Sequence, residues 1–384
     1  MSENVPLIAK TLYGMEEVLA GELRALGAGK VRTGNRCVFF EGDKGFLYKA
    51  NLNLRTALRV LVPVSEFRLR NAEELYARIQ EIDWSRYLDP GMTFAVDTVL
   101  NSDLFAHSLF VSQKVKDAIA DQFRKRQGRR PSVSVSDPDL RLNLHLQDRM
   151  AHLSLDSSGS SLHLRGYRTA TNKAPLNEVL AAGILLMSGW KGQSDFLDPM
   201  CGSGTLLTEA AMIACNIPAN INRQNFGFQR WKDYEQELYT LIFNASLNKA
   251  REFRYRIRGI DKAPSALLKA QQNIRNARLS EYISLEQADF FASSKEGEAP
   301  LHLVCNPPYG ERLPVEREEF FKQWGDTLKR SYPNTHAWLL VGDPEILKWV
   351  GLRPSRKIKL YNGGIEARLA HYELYAGSRK DRMR

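Results

Sequence analysis

The fold of this chain is decided by a stretch that reads Asp195-Phe-Leu-Asp-Pro-Met-Cys-Gly-Ser-Gly-Thr-Leu-Leu-Thr-Glu209. Its apolar start predicts a short buried strand that ends at Asp198, and its end predicts a helix from Thr205. Between them, Gly202 and Gly204 allow a sharp turn with no Cβ to block a ligand. Because the first N–H groups of a helix have no partner inside it, they face whatever lies over the turn. In open α/β sheets, such turns at the carboxyl ends of parallel strands bind nucleotides.

The glycine pattern excludes two common ligands. A Walker loop needs a lysine after its second glycine, where this chain has Thr205, and a dinucleotide fold needs a third glycine at a fixed offset. Asp198 before the turn favours a cationic or hydroxyl-rich ligand instead. The alternative is a glycine connection between a strand and a helix that binds nothing.

A second motif ends another predicted buried strand and reads Leu301-His-Leu-Val-Cys-Asn-Pro-Pro-Tyr-Gly310. Its two prolines lack N–H donors and have a fixed φ, so the carbonyl groups around them are held rigid. Asn306 adds a side-chain carbonyl, and Tyr309 adds a flat ring. A flat substrate that carries an amino group fits this set, because its ring can stack while the Asn oxygen and a Pro carbonyl accept the amino hydrogens. The alternative is a Pro-Pro loop that closes a strand, with Tyr309 as ordinary packing.

Together, Asp198-Pro-x-Cys-Gly-Ser-Gly-Thr and Asn306-Pro-Pro-Tyr resemble the cofactor loop and the catalytic loop of class I S-adenosylmethionine-dependent amino-methyltransferases. The longer stretch Asn306-Pro-Pro-Tyr-Gly-Glu-Arg-Leu313 is similar to the THUMP-domain RNA guanine-N2 methyltransferases, the RlmL-like group that acts on large-subunit rRNA. The resemblance covers essentially the whole chain. It implies an α/β fold, with a Rossmann-like seven-stranded class I methyltransferase domain preceded by an α+β region that is ferredoxin-like and then a THUMP RNA-binding domain.

The resemblance also implies roles for individual residues. Asn306, Pro307 and Tyr309 are the expected catalytic residues: Asn306 Oδ1 and the Pro307 carbonyl accept the hydrogens of the target amine, and Tyr309 stacks on the base. The residues expected to bind S-adenosyl-L-methionine are Asp198, Pro199, Cys201, Gly202, Ser203, Gly204, Asp261, Asp289, Phe290 and Asn306.

Two acids at later strand ends belong to this expected cofactor site. Asp261 ends a predicted strand, where an acid can accept from both ribose hydroxyls of a nucleoside. Its alternative role is to cap the helix that follows. By resemblance, Asp289 accepts from the adenine amino group and Phe290 flanks the ring, with core packing as the alternative for Phe290.

The predicted elements divide the chain into three parts. Residues 1–60 form a small α+β unit, the ferredoxin-like segment of the family, and residues 61–165 resemble a THUMP domain. Alternating apolar residues predict a strand at Ser161–Arg165. Residues 166–384 form the methyltransferase domain, and Asn362-Gly363-Gly364 predicts the turn of a closing antiparallel hairpin.

A helix predicted at Ser108–Arg126 ends in a basic run. The basic residues of this run are Arg124, Lys125, Arg126, Arg129 and Arg130. Cations are favoured at the C-terminus of any helix. Beside an enzyme that acts on RNA, however, we expect these side chains to contact phosphate.

The segment at 218–231 mixes aromatic and basic residues. Phe226, Phe228 and Trp231 alternate with Arg223 and Arg230. Such a pattern can grip single-stranded nucleotides by stacking and charge. The alternative is a loop that its aromatic side chains anchor to the protein.

Composition narrows the class of protein. A hydrophobic content of 43% over 384 residues is enough for packed cores, and a net charge of +10 favours polyanionic partners. Four widely spaced cysteines form no CxxC pair and no His/Glu cluster has metal spacing, so we expect no metal and a reducing compartment. Because there is no signal segment and no apolar run of membrane-spanning length, we expect a cytoplasmic protein without a membrane partner. We further expect a monomer.

These inferences predict that the chain methylates the exocyclic N2 of a guanosine in RNA, with 23S rRNA as the favoured substrate and S-adenosyl-L-methionine as the methyl donor. Three alternatives remain open at this point. They are a tRNA guanine-N2 methyltransferase, an adenine-N6 methyltransferase built on the same Asn-Pro-Pro-Tyr motif, and a non-catalytic RNA-binding or assembly factor.

Overall fold

The chain folds into two units, each built on its own sheet. The computed structural model describes residues 3–171, 175–308 and 317–375. The described residues within 1–11, 19–162 and 223–245 form the first unit, and those within 12–18, 163–222 and 246–384 form the second.

The first unit has a continuous mixed sheet. Its strands are β1 Val5–Lys10, β2 Gly29–Gly34, β3 Cys37–Gly42, β4 Arg59–Arg68, β5 Thr93–Asn101, β6 Ser132–Val133, β7 Leu140–Gln147 and β8 Met150–Asp156. Among the described residues, their order across the sheet is β2-β3-β1-β4-β8-β7-β5-β6.

Strand β4 joins the two halves of this sheet. It pairs antiparallel with β1, with Leu61 opposite Ile8, and antiparallel with β8, with Phe67 opposite Ala151. The predicted ferredoxin-like and THUMP parts therefore share one sheet, and the boundary expected after residue 60 lies inside β4.

Helices connect many of the strands in both units. They are α1 Glu16–Leu26, α2 Lys44–Asn53, α3 Ala72–Glu81, α4 Ser108–Gln127, α5 Glu178–Met187, α6 Thr205–Ala214, α7 Gln236–Leu247, α8 Pro264–Asn276 and α9 Arg317–Ser331. Helix α4 ends at Gln127, one residue beyond its predicted end. Gly128 follows in a left-handed conformation, with φ of 67°, and stops the helix. In the described part of the chain, no helix combines the length and the apolar character needed to cross a membrane.

Residues 223–245 fold with the first unit, although they lie in the sequence between elements of the second. Phe228 stacks on Tyr48 with 4.4 Å between ring centroids, and Phe226 stacks on Phe228 at 5.3 Å. Both phenylalanines are buried, and Trp231 packs against the core of the unit. These rings are therefore occupied by the protein itself.

The arginines of this segment are also bonded within the first unit. Arg223 donates to the carbonyl groups of Ser161 at 2.9 Å and Ser158 at 3.2 Å. Arg230 pairs with Asp137 at 2.8 Å. The anchored-loop interpretation of the segment is confirmed by these contacts.

The second unit has the sheet expected of a class I methyltransferase. Its strands are β9 Asp195–Asp198, β10 Ile257–Asp261, β11 Ile283–Gln287, β12 Leu301–Cys305, β13 Thr335–Val341, β14 Arg356–Asn362 and β15 Ile365–Leu374. Within the described ranges, the order is β11-β10-β9-β12-β13-β15-β14. The first five strands in this order are parallel, and β15 is antiparallel to both of its neighbours. The predicted seven-stranded sheet and its closing hairpin are confirmed.

The strand order places a switch point between β9 and β12. From β9 the chain continues through β10 to β11 on one side, and it then returns to the other side of β9 at β12. Ligands of open α/β sheets bind in the crevice outside the carboxyl ends of the strands at such a point. Asp198 ends β9 and Asn306 follows β12, so both predicted motifs lie at this crevice.

The prediction of a strand at Ser161–Arg165 is wrong. The stretch is a turn followed by loop, and the chain passes from the first unit to the second within it. Leu164 is exposed, whereas Arg165 is fully buried and pairs at 3.3 Å with Glu209, which is also fully buried. The alternating apolar pattern was misleading here. It assigned Arg165 to the solvent face, but the ion-pair partner of Arg165, Glu209, lies in the protein interior.

Candidate active site

The glycine turn connects β9 to α6 in a conformation that needs glycine. Gly202 and Gly204 have positive φ angles of 55° and 79°. A side chain at either position would be held in a backbone conformation that L residues rarely adopt. The N–H of Cys201 donates to the carbonyl of Ile260 at 2.9 Å, which holds the turn against the end of β10.

Gly259 in β10 allows the turn and α6 to lie close to the sheet. A Cβ at this position would be 2.3 Å from Leu207 Cδ1 and 3.1 Å from Cys201 Sγ. Sequence reasoning assigned no role to this glycine. The signal that could have found it is a glycine inside a strand pattern, which often marks the close approach of another segment.

Asp198 is buried at the end of β9. Its Oδ1 accepts a hydrogen bond from the N–H of Met200 at 3.3 Å. Burial, with a smaller contribution from the charge of Asp261, raises the pKa of the Asp198 carboxyl to about 8. The carboxyl therefore holds a proton near neutral pH unless a cation lies against it and favours the ionised form.

Asp261 holds two backbone segments at the end of β10. Its Oδ2 accepts from the N–H of Gly202 and its Oδ1 accepts from the N–H of Ala263, each at 2.9 Å. The second bond is a local turn before α8, but the N-cap residue of this helix is Ala263 and no side chain among the described residues caps it, so Asp261 does not cap the helix. Because each carboxylate oxygen can accept about two hydrogen bonds, the side chain keeps capacity for a ligand hydroxyl.

Asn306 lies at the same edge of the sheet as Asp198. Strand β12 pairs in parallel with β9, with Leu303 beside Leu197, so the two strands end side by side. Asn306 Oδ1 is buried and has no hydrogen-bond partner among the described residues. A buried acceptor without a hydrogen bond destabilises the folded protein by about 1–3 kcal/mol. Such an atom at a crevice is the arrangement that a ligand amine would complete.

The rest of the expected catalytic loop is described only in part. Pro307, whose carbonyl is the expected second acceptor, is buried, and Pro308 after it is exposed. Tyr309 lies outside the described residues, and its stacking role stays a prediction.

Asp289 and Phe290 follow β11 on the other side of β10. Asp289 Oδ1 accepts from the N–H of Phe291 at 2.9 Å. Phe290 is buried, with its ring centroid 5.4 Å from that of Tyr332 and 6.3 Å from that of Trp324. Core packing accounts for these contacts, and the place of Phe290 beside an adenine ring stays a prediction.

Comparison with known protein families agrees with this arrangement. The family model described as RMKL-like, methyltransferase domain, matches residues 165–371. The chain belongs to the RMKL-like methyltransferase family. A THUMP model matches residues 70–156 and an RlmL ferredoxin-like model matches residues 6–61 of this methyltransferase. The expected family and the expected order of its regions are confirmed.

Two curated relatives show how far the similarity of this RMKL-like methyltransferase extends. A candidate RNA methyltransferase from Synechocystis sp. is 37% identical over 96% of this chain and 97% of its own length. The protein of Methylococcus capsulatus named ribosomal RNA large subunit methyltransferase K/L is 40% identical over 94% of this chain and 50% of its own length. The chain thus spans about half the length of the K/L relatives and nearly all of the Synechocystis protein.

A solved structure shares the fold of this RMKL-like methyltransferase. The crystal structure of SMU.472, a candidate methyltransferase complexed with SAH (S-adenosylhomocysteine), has a TM-score of 0.88 at 30% sequence identity. It covers 98% of this chain and 100% of its own. The class I S-adenosylmethionine-dependent fold predicted from the two motifs is confirmed.

The residues at the carboxyl edge fit S-adenosyl-L-methionine by their chemistry. Asp198 offers a buried carboxyl for a cation, and Asp261 keeps acceptor capacity for hydroxyl groups. Asn306 Oδ1, which has no partner in the part of the chain that the structure describes, leaves an acceptor for an amine beside them. In the parts of the chain that the structure describes, no three His, Cys, Asp or Glu side chains are grouped so as to hold a metal ion.

The predicted basic run lies at the end of α4 in the first unit, and part of it is already paired. Arg124 forms an ion pair with Asp121 at 3.1 Å, and Arg126 forms one with Asp83 at 2.7 Å. Contact with a phosphate would have to compete with these carboxylates.

The other cations of the run are differently placed. Lys125, Arg129 and Arg130 are exposed, and none forms an ion pair with another described residue. A solvated cation can neutralise a phosphate without first losing a protein partner. Contact between these three residues and RNA stays a prediction.

Proposed function

We propose that this chain transfers a methyl group from S-adenosyl-L-methionine to the exocyclic N2 of a guanosine in RNA, with large-subunit rRNA as the favoured substrate. The observation that carries the proposal is the buried Oδ1 of Asn306, which follows the strand next to the glycine turn and has no hydrogen-bond partner among the described residues. The names of the Synechocystis and Methylococcus relatives support RNA and rRNA, respectively, as the substrate.

The chemical difficulty lies in the acceptor. The lone pair of guanine N2 is delocalised into the ring, so the amine is a weak nucleophile. When bound, S-adenosyl-L-methionine supplies a methyl group already activated by a sulfonium. Asn306 Oδ1 and the Pro307 carbonyl accept hydrogen bonds from the two amino N–H groups, which favours a more pyramidal nitrogen and stabilises its developing positive charge. As the N2–methyl bond forms, the sulfur–methyl bond breaks, and one amino proton then leaves to water. Because these acceptors follow a buried strand and precede a second proline, little reorganisation is needed.

The cofactor is held by the strand ends on the other side of the crevice. Asp198 binds its cationic amino group, Asp261 its ribose hydroxyls and Asp289 its adenine amino group. The turn residues that surround it are Pro199, Cys201, Gly202, Ser203 and Gly204, with Phe290 flanking the adenine. Since β9 and β12 are adjacent and parallel, donor and acceptor are brought to one edge. Such positioning can contribute up to about 7–11 kcal/mol.

The RNA is bound by the first unit as well as by the crevice. Lys125, Arg129 and Arg130 contact phosphate groups, with Arg124 and Arg126 contributing less because each already has a carboxylate partner. The target base leaves its helix to reach the crevice, where Tyr309 stacks on it.

Nucleoside analysis of the product tests this proposal. The protein is incubated with isotopically labelled S-adenosyl-L-methionine and rRNA from a strain that lacks the gene, and the digested RNA is analysed by mass spectrometry. We expect labelled N2-methylguanosine. Labelled N6-methyladenosine would contradict the guanine assignment, and label in tRNA but not in rRNA would contradict the favoured substrate. Cofactor binding without methylation of any RNA would support the non-catalytic alternative.

A further inference from the structure

Asn273 in α8 uses every hydrogen-bonding group of its buried amide. Its Nδ2 donates to the carbonyl of Ser203 at 3.0 Å and to the carbonyl of Ala170 at 2.8 Å. Its Oδ1 accepts from the N–H groups of Thr169 and Ala170 at 3.1 and 3.2 Å. One side chain, 1% exposed, therefore links the middle of the glycine turn to the segment at 167–171.

Arg168 links the same segment to the other side of the glycine turn. Its guanidinium donates to Thr205 Oγ1 at 2.8 Å and to the carbonyl of Leu176 at 2.9 Å. Ser203 and Thr205 are the two neighbours of Gly204, so the turn is held on both sides of this glycine. The bonds of Asn273 and Arg168 thus converge on the part of the turn that leads into α6.

The bond from Asn273 fixes one particular peptide group. The carbonyl of Ser203 and the N–H of Gly204 belong to the same planar peptide. Asn273 holds the carbonyl, and the carbonyl of Cys201 accepts from the Gly204 N–H at 2.9 Å. A turn with two glycines of positive φ would otherwise sample many conformations, because glycine has the greatest backbone freedom. A fully satisfied buried polar network restricts that freedom.

We propose, on the basis of the function proposed above, that Asn273 is a positioning residue for S-adenosyl-L-methionine. It sets the Ser203–Gly204 peptide, and with it the backbone path of the turn against which the cofactor lies. Asn273 acts through the turn and does not contact the ligand, since its own donors and acceptors are filled by the protein.

Asn276, one helical turn further along α8, provides a matched control. Its Nδ2 donates to the carbonyl of Tyr167 at 3.0 Å and to Thr169 Oγ1 at 2.8 Å. It therefore holds the same segment as Asn273 and lies on the same helix. Its hydrogen bonds within the described residues do not reach the glycine turn.

Calorimetric titration of the full chain with SAH measures the effect directly, without methyl transfer. For Asn273→Ala we expect SAH binding to weaken on the order of tenfold, the equivalent of about one net hydrogen bond. For Asn276→Ala we expect a Kd within about twofold of wild type, as befits a half-buried bond remote from the turn. In methylation assays, the KM for S-adenosyl-L-methionine should rise for the Asn273 variant, while kcat at saturating cofactor should change by less than about threefold.

Asn273→Asp keeps the test decisive if the alanine variant does not fold. Aspartate has nearly the same shape and can still accept from Thr169 and Ala170, but it cannot donate to the Ser203 carbonyl. We expect a loss of SAH affinity similar to that of the alanine variant, with the folded state verified by thermal unfolding.

The outcomes separate the positioning role from the proposed function. Wild-type protein that binds no SAH would overturn the proposed function itself. If wild type binds SAH and the folded Asn273 variants bind it equally tightly, the positioning role is wrong and the proposed function stands. Equal weakening by Asn276→Ala, or a fall in kcat with unchanged SAH affinity, would also overturn the positioning role.

Discussion

The carboxyl edge of the second-unit sheet and the segment at 223–245 carry similar kinds of side chain, yet the protein uses them differently. In the segment, Phe228 is 1% exposed against Tyr48 and Arg223 donates to backbone carbonyls of its own unit. At the edge, Asn306 Oδ1 is buried without a partner among the described residues. Residue type shows which contacts are possible, whereas unfilled bonding capacity shows where a ligand is needed.

The largest effect on turnover should come from replacing Asn306. Asn306→Ala is expected to lower turnover by about 10²–10³-fold, because it removes a preorganised acceptor of positive charge that develops in the transition state. The Kd for SAH should stay within a few-fold of wild type. Single-turnover methylation with enzyme in excess checks this, and a near-normal rate in the variant would contradict the role of Asn306.

A substitution in the segment at 223–245 should lower the stability of the protein and leave its affinity for RNA unchanged. Phe228→Leu is expected to lower the free energy of unfolding by about 1–3 kcal/mol, because it removes a ring stacked between Tyr48 and Phe226 in a filled core. The affinity for RNA at constant salt should be unchanged in the folded variant. Urea unfolding and RNA titration together measure both quantities, and weaker RNA binding at unchanged stability would show that the segment contacts RNA after all.

Cofactor affinity should depend on pH through Asp198, whose pKa is raised to about 8 by burial. The sign follows from competition: a ligand cation favours the ionised carboxyl, whereas at lower pH a proton occupies it. From about pH 6 to 7.5, SAH affinity should therefore rise with pH, by at most about tenfold per pH unit. Above this range the ligand amine itself begins to lose its proton.

The Asp198→Asn variant is the control for this pH dependence. It should bind SAH weakly and with little change over the same range, because the amide does not titrate. Affinity that falls between pH 6 and 7.5 in the wild type would mean that the protonated carboxyl is the form that binds.

The smallest effect is expected in the salt dependence of RNA binding, where cations of the basic run that have a carboxylate partner can be compared with those that have none among the described residues. Replacing Lys125, Arg129 or Arg130 with glutamine should reduce the slope of log Kd against log salt by about 0.7–0.9 for each lost phosphate contact. Arg126→Gln should reduce the slope less, since this side chain is paired with Asp83 in the free protein. RNA binding over a range of KCl concentrations measures the slopes, and equal slopes for all variants would assign the run to helix capping.

Much of the fold was predictable because its signals are local. The glycine turn, the Asn-Pro-Pro motif and the Asn362-Gly363-Gly364 hairpin each depend on backbone conformations that neighbouring residues impose. The structure has elements close to those expected around them. The strand expected at Ser161–Arg165 failed for a non-local reason, because Arg165 pairs with Glu209 from a distant part of the sequence.

The supporting residues of the site could not be predicted in the same way. Asn273 has the sequence context of any polar residue on an amphipathic helix, and its four hydrogen bonds are to segments 70 or more positions away. In the sequence, Gly259 is a glycine that weakens a strand. Its role is visible only in the structure, where Leu207 and Cys201 pack closely against it. Both roles arise from the approach of chain segments that the linear order keeps apart.

The sequence by itself determined the class of chemistry, since the order of residues at two strand ends specifies a glycine turn and a rigid pair of carbonyl acceptors. Only the tertiary structure decided which polar and aromatic side chains are available for that chemistry. Hydrogen-bonding capacity and ring surface are consumed by whichever partner folding brings near, and those partners are distant in sequence: Tyr48 stacks on Phe228, while Asn306 Oδ1 has no partner among the described residues.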